Sequence, residues 1–219
     1  MRVLHIPCFS LTDPVPALEE HYRQIEKYKS IGLVTTAQHL SQMGDIKEFL
    51  QSKGKRVEVG GQVLGCSQDN ALKLDVECIL YTGSGRFHPL GIALKTEKPV
   101  YILNPLSGSL DKITDAEKKH WLGKRKGAIS RALNSETYGI MVSTKDGQYD
   151  LRKALELKRK LEAKNKKAIV FAAEELTPAN LLPFRVDCWV NTACPRIAGD
   201  EYNRPVINSQ ELQEIIKYI

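Results

Sequence analysis

Hydrophobic residues along this chain fall into short apolar runs, and longer amphipathic stretches separate one run from the next. A short, uncharged apolar run bounded by turn residues is typical of a strand that is buried on both faces of a sheet. Such runs predict strands at residues 3–6, 31–35, 57–59, 78–81, 100–103, 139–143, 167–171 and 187–191.

The stretches between these runs repeat their apolar residues every three or four positions, which is the spacing of one helix face. Leu18, Tyr22 and Ile25 show this spacing in the first stretch, and prolines stand at its start, where a helix tolerates them. We predict helices at residues 15–29, 45–53, 88–95, 115–133, 149–164, 178–182 and 209–219. Strands that alternate with helices indicate an α/β fold in which mainly parallel sheets are flanked by helices.

The two halves of the chain resemble one another around a cysteine-containing strand. Residues 70–86 and residues 180–196 align at a constant offset of 110. The aligned segments share an identical asparagine, cysteine, threonine and arginine. We therefore predict two similar domains that arose by internal duplication. The first domain would comprise residues 1–105 and the second would comprise residues 106–219.

Composition adds limits on where such a protein works. The hydrophobic content of 42% is ordinary for a globular chain, and no run of apolar residues approaches the length of a membrane span. The apolar stretch at the amino terminus is too short for a signal peptide. We therefore expect a cytoplasmic protein without a membrane partner.

The net charge is +6, and the excess of lysine and arginine lies in the second half of the chain. The helices predicted at residues 115–133 and 149–164 carry the largest basic clusters. A solvated helix face explains such clusters, and weak attraction to an acidic or RNA-associated partner is the alternative. No RNA-binding motif accompanies the charge, so we expect no direct contact with nucleic acid.

The chain has five cysteines, and their number and spacing limit their chemistry. An odd number without a secretion signal argues against a disulfide framework. The sequence contains no CxxC pair and no Cys/His spacing of a structural zinc site. Thiols that bind a metal in this protein must therefore converge from distant parts of the sequence.

Ligands bind open parallel sheets at the carboxyl ends of the strands, so candidate residues should follow strands directly. Cys78 and Cys188 stand at matched positions near the beginning of their strands. We interpret both as small, buried hydrophobic residues. Cys66 and Cys194 instead follow predicted strands, and both are candidate metal ligands.

Cys194 lies in the loop after the last predicted strand. Pro195 restricts the backbone behind it, and Arg185 and Arg196 place positive charge nearby, which favours a thiolate over a thiol. A functional role is therefore a better interpretation of Cys194 than an idle loop cysteine.

Cys66 follows a glycine-rich segment that contains Gly60, Gly61 and Gly65. Glycine lets the backbone approach a ligand closely and adopt positive φ, although a tight bend alone would also explain it. Asp69, close behind Cys66, suits a helix N-terminus, whose dipole favours a thiolate.

Two further features follow predicted strands. Cys8 ends the first strand and is either a third metal ligand or a buried or idle thiol. Residues 82–89 form a glycine-containing turn whose backbone N–H groups can bind a carboxylate or phosphate. Its histidine is either an acid–base group, a donor to the ligand, or a structural residue. The candidate binding residues of the turn are Gly83, Ser84, Gly85, Arg86 and His88.

Three of these segments resemble the diphthamide-synthesis family. They read GQVLGC at residues 61–66, YTGSGRFHPLG at residues 81–91 and DCWVNTACPRI at residues 187–197. Shorter matches read HIP at residues 5–7 and TAQH at residues 36–39, so the resemblance runs along nearly the whole chain.

The resemblance implies three copies of one α/β domain, each of which gives one cysteine to a central 4Fe–4S cluster. The open iron of that cluster binds S-adenosylmethionine, whose reductive cleavage gives a 3-amino-3-carboxypropyl radical. This radical adds to a histidine of translation elongation factor 2, which is the first step of diphthamide synthesis. By this resemblance Cys66 and Cys194 are cluster ligands. Our leading hypothesis is that the turn at residues 82–88, with Arg86 and Arg196, holds the carboxylate of S-adenosylmethionine.

The sequence departs from the family because it resembles only the second and third domains and lacks the first, with its cysteine. Three-cysteine ligation leaves one iron free for substrate, so two cysteines leave the cluster one thiolate short. Cys8, a partner chain or a second copy of this chain would supply the third. A partner chain implies a hetero-dimer, and a second copy implies a homo-dimer. We favour a partner chain because Cys8 lacks a surrounding loop.

Two other functions are alternatives to the transferase. A non-catalytic subunit would use the same fold to dock a full-length paralogue or the elongation factor. Zinc binding by the same thiols is weaker, because the ligand spacing is wrong for a structural zinc site.

Overall fold

The computed structural model describes Leu4, Ile6 and residues 8–219, so the strand predicted at residues 3–6 falls mainly outside the described residues. The chain forms two compact units, Met1–Lys118 and Lys119–Ile219. Each unit contains a sheet of parallel strands with helices packed on it, which confirms the predicted α/β class.

The first unit is built on a five-stranded sheet. Its strands are β1 (Ser30–Thr35), β2 (Arg56–Gln62), β3 (Cys78–Thr82), β4 (Val100–Asn104) and β5 (Ser109–Lys112). They lie in the order β2-β1-β3-β4-β5, and only β5 is antiparallel to its neighbour. Every residue of β1 and β3 is buried, which explains why both strands appear in the sequence as continuous apolar runs.

Helices cover both faces of the first sheet. They are α1 (Val15–His21), α2 (Met43–Ser52), α3 (Asp69–Leu72) and α4 (Phe87–Ala93). Leu18 of α1 and Ile46 of α2 enter the core on one face, while Ala71 of α3 and Ile92 of α4 enter the core on the other. The sheet is therefore enclosed, as parallel sheets in α/β proteins are.

The first helix is shorter than predicted, because the chain must turn before it enters β1. After α1 a 3-10 segment, Tyr22–Gln24, ends the helical region well before residue 29. The backbone N–H groups of Lys29 and Ser30 donate to the Glu77 carboxylate, at 2.5 and 3.4 Å, which fixes the start of β1.

The second unit contains a four-stranded parallel sheet. Its strands are β6 (Thr137–Ser143), β7 (Lys167–Ala173), β8 (Cys188–Asn191) and β9 (Val206–Asn208), in the order β7-β6-β8-β9. Its helices are α5 (Asp115–Leu133), α6 (Leu151–Glu162), α7 (Pro178–Leu181) and α8 (Ser209–Ile215). Ala128, Leu157 and Leu212 join the core on one face, and the fully buried Trp189 joins a smaller core on the other.

Two strands, β5 and β9, were not predicted, because short strands with polar residues leave no apolar run. β5 lies beyond the predicted boundary at residues 105 and 106, yet it pairs with β4. The first unit therefore extends to Lys118, later than the predicted boundary. The parallel strands follow one order in both sheets, and the internal duplication itself stays a prediction.

Strand β2 is longer than predicted and includes part of the glycine-rich segment. Its pairing with β1 is irregular at the position of Gly60. A Cβ at Gly60 would lie 2.7 Å from the Asn70 carbonyl oxygen, so glycine is required for this close backbone approach. Across the described part of the chain, no helix combines the length and the apolar character that crossing a bilayer requires.

Candidate functional site

Burial separates the five cysteines into two classes. Cys78 and Cys188 are the first residues of β3 and β8, and both are fully buried. Desolvation by this burial raises the pKa of each thiol to about 12. The interpretation of both as buried hydrophobic residues is therefore confirmed. Cys8 and Cys66 are exposed, and Cys194 is half-buried.

Cys66 lies in a tight loop between β2 and α3. The backbone N–H of Leu64 donates to the Ser67 carbonyl at 2.9 Å, and Ser67 donates back at 3.2 Å. The buried Gln68 side chain donates from Nε2 to the carbonyls of Leu64 and Gly65, at 3.0 Å each. The loop thus presents its thiol to solvent on a backbone that hydrogen bonds hold in place.

The glycine-containing turn after β3 lies beside the Cys66 loop. A Cβ at Gly65 would fall 2.4 Å from the Phe87 ring, so this ring packs directly on the loop. A Cβ at Gly91 of α4 would lie 3.4 Å from Gln68 Nε2. The structure therefore brings Cys66 and the predicted anion-binding turn together at the carboxyl edge of the first sheet.

The conformation of this turn depends on its glycines. Gly83 and Gly85 have backbone φ values of 147° and 78°, which residues other than glycine rarely adopt. His88 stands in the first turn of α4, and its ring stacks on Tyr81 at 6.1 Å between centroids. Burial lowers the pKa of His88, because desolvation disfavours the charged imidazolium.

Arg86 of the same turn is engaged by acidic residues of its own unit. Its Nε donates to Glu117 at 2.7 Å, and Nη1 lies 3.8 Å from Asp111. This hydrogen bond is the main reason that the pKa of Glu117 is lowered. A carboxylate ligand at Arg86 would have to compete with both side chains. The predicted role of Gly83, Ser84, Gly85, Arg86 and His88 in cofactor binding stays a prediction.

Cys194 lies between β8 and a 3-10 segment, Pro195–Gly199. The side chain of Asn191 donates to the Cys194 carbonyl at 2.9 Å and accepts from the Ala193 N–H at 3.0 Å. The Thr192 hydroxyl donates to the Met141 carbonyl at 2.7 Å, which ties the loop to β6.

A cavity of about 310 Å³ opens beside Cys194, within the size range of small-molecule sites. It lies at the carboxyl edge of the second sheet, because Ser143 is the last residue of β6 and Glu174 follows β7. Its charged lining residues are Lys145, Glu174, Glu175, Arg196 and Asp200. Arg196 lies 3.5 Å from Asp200, and Lys145 lies 3.6 Å from Glu175. This lining of both charges suits a zwitterionic ligand.

Cys8 lies in a segment without regular secondary structure. The segment is tied to the first unit shortly after the cysteine, where Ser10 N–H donates to the Gln38 carbonyl at 2.7 Å. Within either unit, the described residues include no group of three His, Cys, Asp or Glu side chains that could hold a metal ion. Metal ligation by Cys8, Cys66 and Cys194 therefore stays a prediction.

Sequence reasoning missed Gln68 and Asn191, whose side chains hold the two cysteine loops. Both are almost completely buried, at 3% and 1% exposure. In the sequence, each is only a polar amide two or three positions from a candidate cysteine. Such a residue does not indicate a role for its side chain unless its burial is known.

Comparison with known proteins agrees with the resemblance of the sequence motifs. The diphthamide synthesis protein family matches residues 1–218. A 2-(3-amino-3-carboxypropyl)histidine synthase of Pyrococcus horikoshii is 33% identical over 97% of this chain. The synthase of the same name from Methanocaldococcus jannaschii is 31% identical over 99% of this chain. A subunit 1 of this synthase from Caenorhabditis elegans is 33% identical over 69% of this chain.

A solved structure is also similar to this chain. The crystal structure of Dph2 from Pyrococcus horikoshii with a 4Fe-4S cluster matches with a TM-score of 0.84 and 32% identity. The match covers 96% of this chain and 64% of that one. This chain likewise spans 65% and 63% of the two archaeal synthases. The motifs, the fold and these comparisons together show that the chain belongs to the diphthamide synthesis protein family.

Proposed function

We propose that this chain is the cluster-holding part of a 2-(3-amino-3-carboxypropyl)histidine synthase. It transfers the 3-amino-3-carboxypropyl group from S-adenosylmethionine to a histidine of translation elongation factor 2, in the cytoplasm. The observation that carries the proposal is the cavity lined by Cys194 and Arg196, at the strand edge where α/β proteins bind ligands. The solved relative with a 4Fe-4S cluster supports iron–sulfur chemistry.

The donor set of the chain fits such a cluster in part. Cysteine thiolates are the usual ligands of iron–sulfur clusters, and Cys66 and Cys194 are accessible thiols at the carboxyl edges of their sheets. A partner chain supplies a third thiolate, which makes the working enzyme a homo- or hetero-dimer. When bound, the cluster supplies the electron for reductive cleavage of a carbon–sulfur bond in S-adenosylmethionine.

The residues of the cavity bind and orient the amino-acid end of S-adenosylmethionine. Its carboxylate pairs with Arg196 and Lys145, and its ammonium group pairs with Glu174. Arg196 is a better partner than Arg86, because its ion pair with Asp200 is 3.5 Å long whereas Arg86 binds Glu117 at 2.7 Å. A looser ion pair gives way to a ligand more readily.

Anaerobic reconstitution with iron and sulfide tests the proposal. We expect Cys66→Ala and Cys194→Ala each to lose the visible absorption and the iron content of the thiolate-bound cluster. Cys78→Ala is the matched control. The Cys78 thiol is buried, so its removal should leave the iron content unchanged. Full clusters in both loop variants would contradict the proposal. Cys8→Ala shows whether the third thiolate comes from this chain.

The alternative is a non-catalytic subunit that docks a full-length paralogue or the elongation factor. The observation in its favour is that the described residues place two, not three, accessible cysteines at strand ends. An isolated chain that binds no iron after reconstitution, yet co-purifies with an active full-length paralogue, would establish this alternative.

A further inference from the structure

Two buried side-chain amides, one in each unit, hydrogen-bond to the loops that carry Cys66 and Cys194. They belong to Gln68 and Asn191, which are 3% and 1% exposed. A buried amide is costly unless its hydrogen bonds are made, so its partners show which part of the backbone it stabilises. In both cases these partners include backbone carbonyls of the cysteine loop itself.

Asn191 hydrogen-bonds to two consecutive residues of the loop after β8. Its Oδ1 accepts from the Ala193 N–H at 3.0 Å, and its Nδ2 donates to the Cys194 carbonyl at 2.9 Å. The same Nδ2 group donates to Asn208 Oδ1 at 2.9 Å. The amide therefore sets the backbone path from the end of β8 to the cysteine.

The anchorage of Asn191 continues through a chain of polar contacts. Asn208 is the N-cap of α8 and forms a capping box with Glu211. Glu211 accepts from the Arg125 guanidinium, whose Nη1 donates to the carbonyls of Ala198 and Val206 at 2.9 and 3.0 Å. Ala198 belongs to the 3-10 segment that follows Cys194, so the network holds the loop on both sides of the cysteine.

Gln68 holds the loop after β2 in a similar way. Its Nε2 group donates to the carbonyls of Leu64 and Gly65, the two residues before Cys66, at 3.0 Å each. Phe87 also packs on Gly65, because a Cβ at Gly65 would lie 2.4 Å from its ring. A buried amide and an aromatic ring therefore both hold this loop.

We propose that Gln68 and Asn191 are positioning residues, which fix the backbones that present Cys66 and Cys194 to iron. The inference rests on the proposed function, because it takes both cysteines as cluster ligands. Ligands held in a fixed geometry by surrounding hydrogen bonds bind metal more tightly than ligands on mobile loops. The two amides would therefore control how firmly the cluster is held.

The test removes each amide while keeping the size of the side chain. Asn191→Leu and Gln68→Met are compared with Asn134→Leu, since the exposed Asn134 donates to the Ser130 carbonyl at 3.0 Å outside both loops. In reconstituted protein we expect iron release to a chelator to be at least about fivefold faster in the two loop variants. Each variant loses two hydrogen bonds to its loop, and a single such bond contributes about 1 kcal/mol. The electron paramagnetic resonance signal of the reduced cluster should also change in these two variants alone.

A second measurement uses the iron-free protein. It distinguishes a failure of the proposed function from a failure of the positioning role. Iodoacetamide should alkylate Cys194 about fivefold faster in Asn191→Leu, because the freed loop opens more often, while the rate at Cys66 stays unchanged. Wild-type protein that takes up no iron would overturn the proposed function, and the alkylation rates would still decide the positioning role.

Folding is monitored by thermal unfolding of every variant. The amides lie in different units, so Gln68→Met tests the inference even where Asn191→Leu does not fold. Unchanged iron release, resonance signal and alkylation rate in the folded variants would overturn it.

Discussion

At the scale of single residues, burial divides five similar thiols into two with a structural role and three with access to solvent. Cys78 and Cys188 begin strands, and the core around them raises their pKa to about 12. Cys66 and Cys194 follow strands and lie in loops, where binding residues are commonly found. Position relative to the strand therefore separates the two buried thiols from Cys66 and Cys194.

The buried thiols lower the free energy of unfolding at alkaline pH. The unfolded state loses a thiol proton above about pH 9, while folded Cys188 keeps its proton until about pH 12. Between these values the unfolded state binds fewer protons, so the free energy of unfolding falls as pH rises, by about 1.4 kcal/mol per thiol per pH unit. Urea unfolding measures the free energy of unfolding at pH 8 and pH 10. Its decrease between the two should be smaller in Cys188→Ala than in the wild type. Equal decreases would contradict the contribution of the buried Cys188 thiol.

At the scale of elements, α5 is held in the second unit by a buried ion pair in addition to the apolar contacts of Ala128 and Ala132. Arg125 is only 6% exposed, and its guanidinium binds the Glu211 carboxylate as well as two backbone carbonyls. One side chain thereby links α5, α8 and the segment after Cys194.

Removing one member of this pair should be strongly destabilising. Arg125→Met removes the guanidinium donor from the Glu211 carboxylate and from two backbone carbonyls. We therefore expect a loss of about 3–5 kcal/mol in the free energy of unfolding. The control is Lys160→Met on α6, which breaks an exposed pair with Glu156 and should change the free energy of unfolding far less, because solvent screens an exposed pair. Urea unfolding measures both, and similar losses in the two variants would contradict the argument.

Two glycines of the second unit should respond to alanine in opposite directions. A Cβ at Gly127 of α5 meets no atom within 4 Å, so Gly127→Ala should stabilise by about 0.5–1 kcal/mol through helix propensity. A Cβ at Gly139 of β6 would lie 2.3 Å from the Trp189 ring, so Gly139→Ala should destabilise by about 1–3 kcal/mol. Melting temperatures check the signs, and a shift in the same direction would contradict this packing.

At the scale of the whole molecule, each unit has its own cores and its own charge. The core clusters draw on residues up to 113 in the first unit and from 128 onward in the second. Residues 1–118 contain 14 basic and 14 acidic side chains, whereas residues 119–219 contain 18 and 12. The whole excess therefore lies in the second unit, where exposed pairs such as Lys158 with Glu162 fit a solvated helix face.

The separate cores predict that the second unit folds by itself. A fragment of residues 114–219 retains α5 and both cores of that unit, so we expect it to unfold in one cooperative thermal transition. Circular dichroism during heating measures this transition. A gradual, non-cooperative melt of the fragment would contradict the assignment of two independent cores.

The sequence by itself determined the α/β class, most strands and the burial of Cys78 and Cys188. These properties follow from local patterns, because apolar runs and positions relative to strand ends can be read within a few residues. The same patterns failed at β5 and β9, where pairing with a neighbouring strand, rather than an apolar run, makes the strand.

Only the tertiary structure decided what surrounds the candidate residues. Arg86 hydrogen-bonds to Glu117, 31 positions away in the sequence. Arg125 hydrogen-bonds to Glu211, 86 positions away. The buried amides of Gln68 and Asn191 were likewise invisible, because burial is a property of the folded core and not of residue type. The sequence thus indicates where chemistry can occur, while contacts between distant residues determine which side chains are free to take part and how firmly they are held.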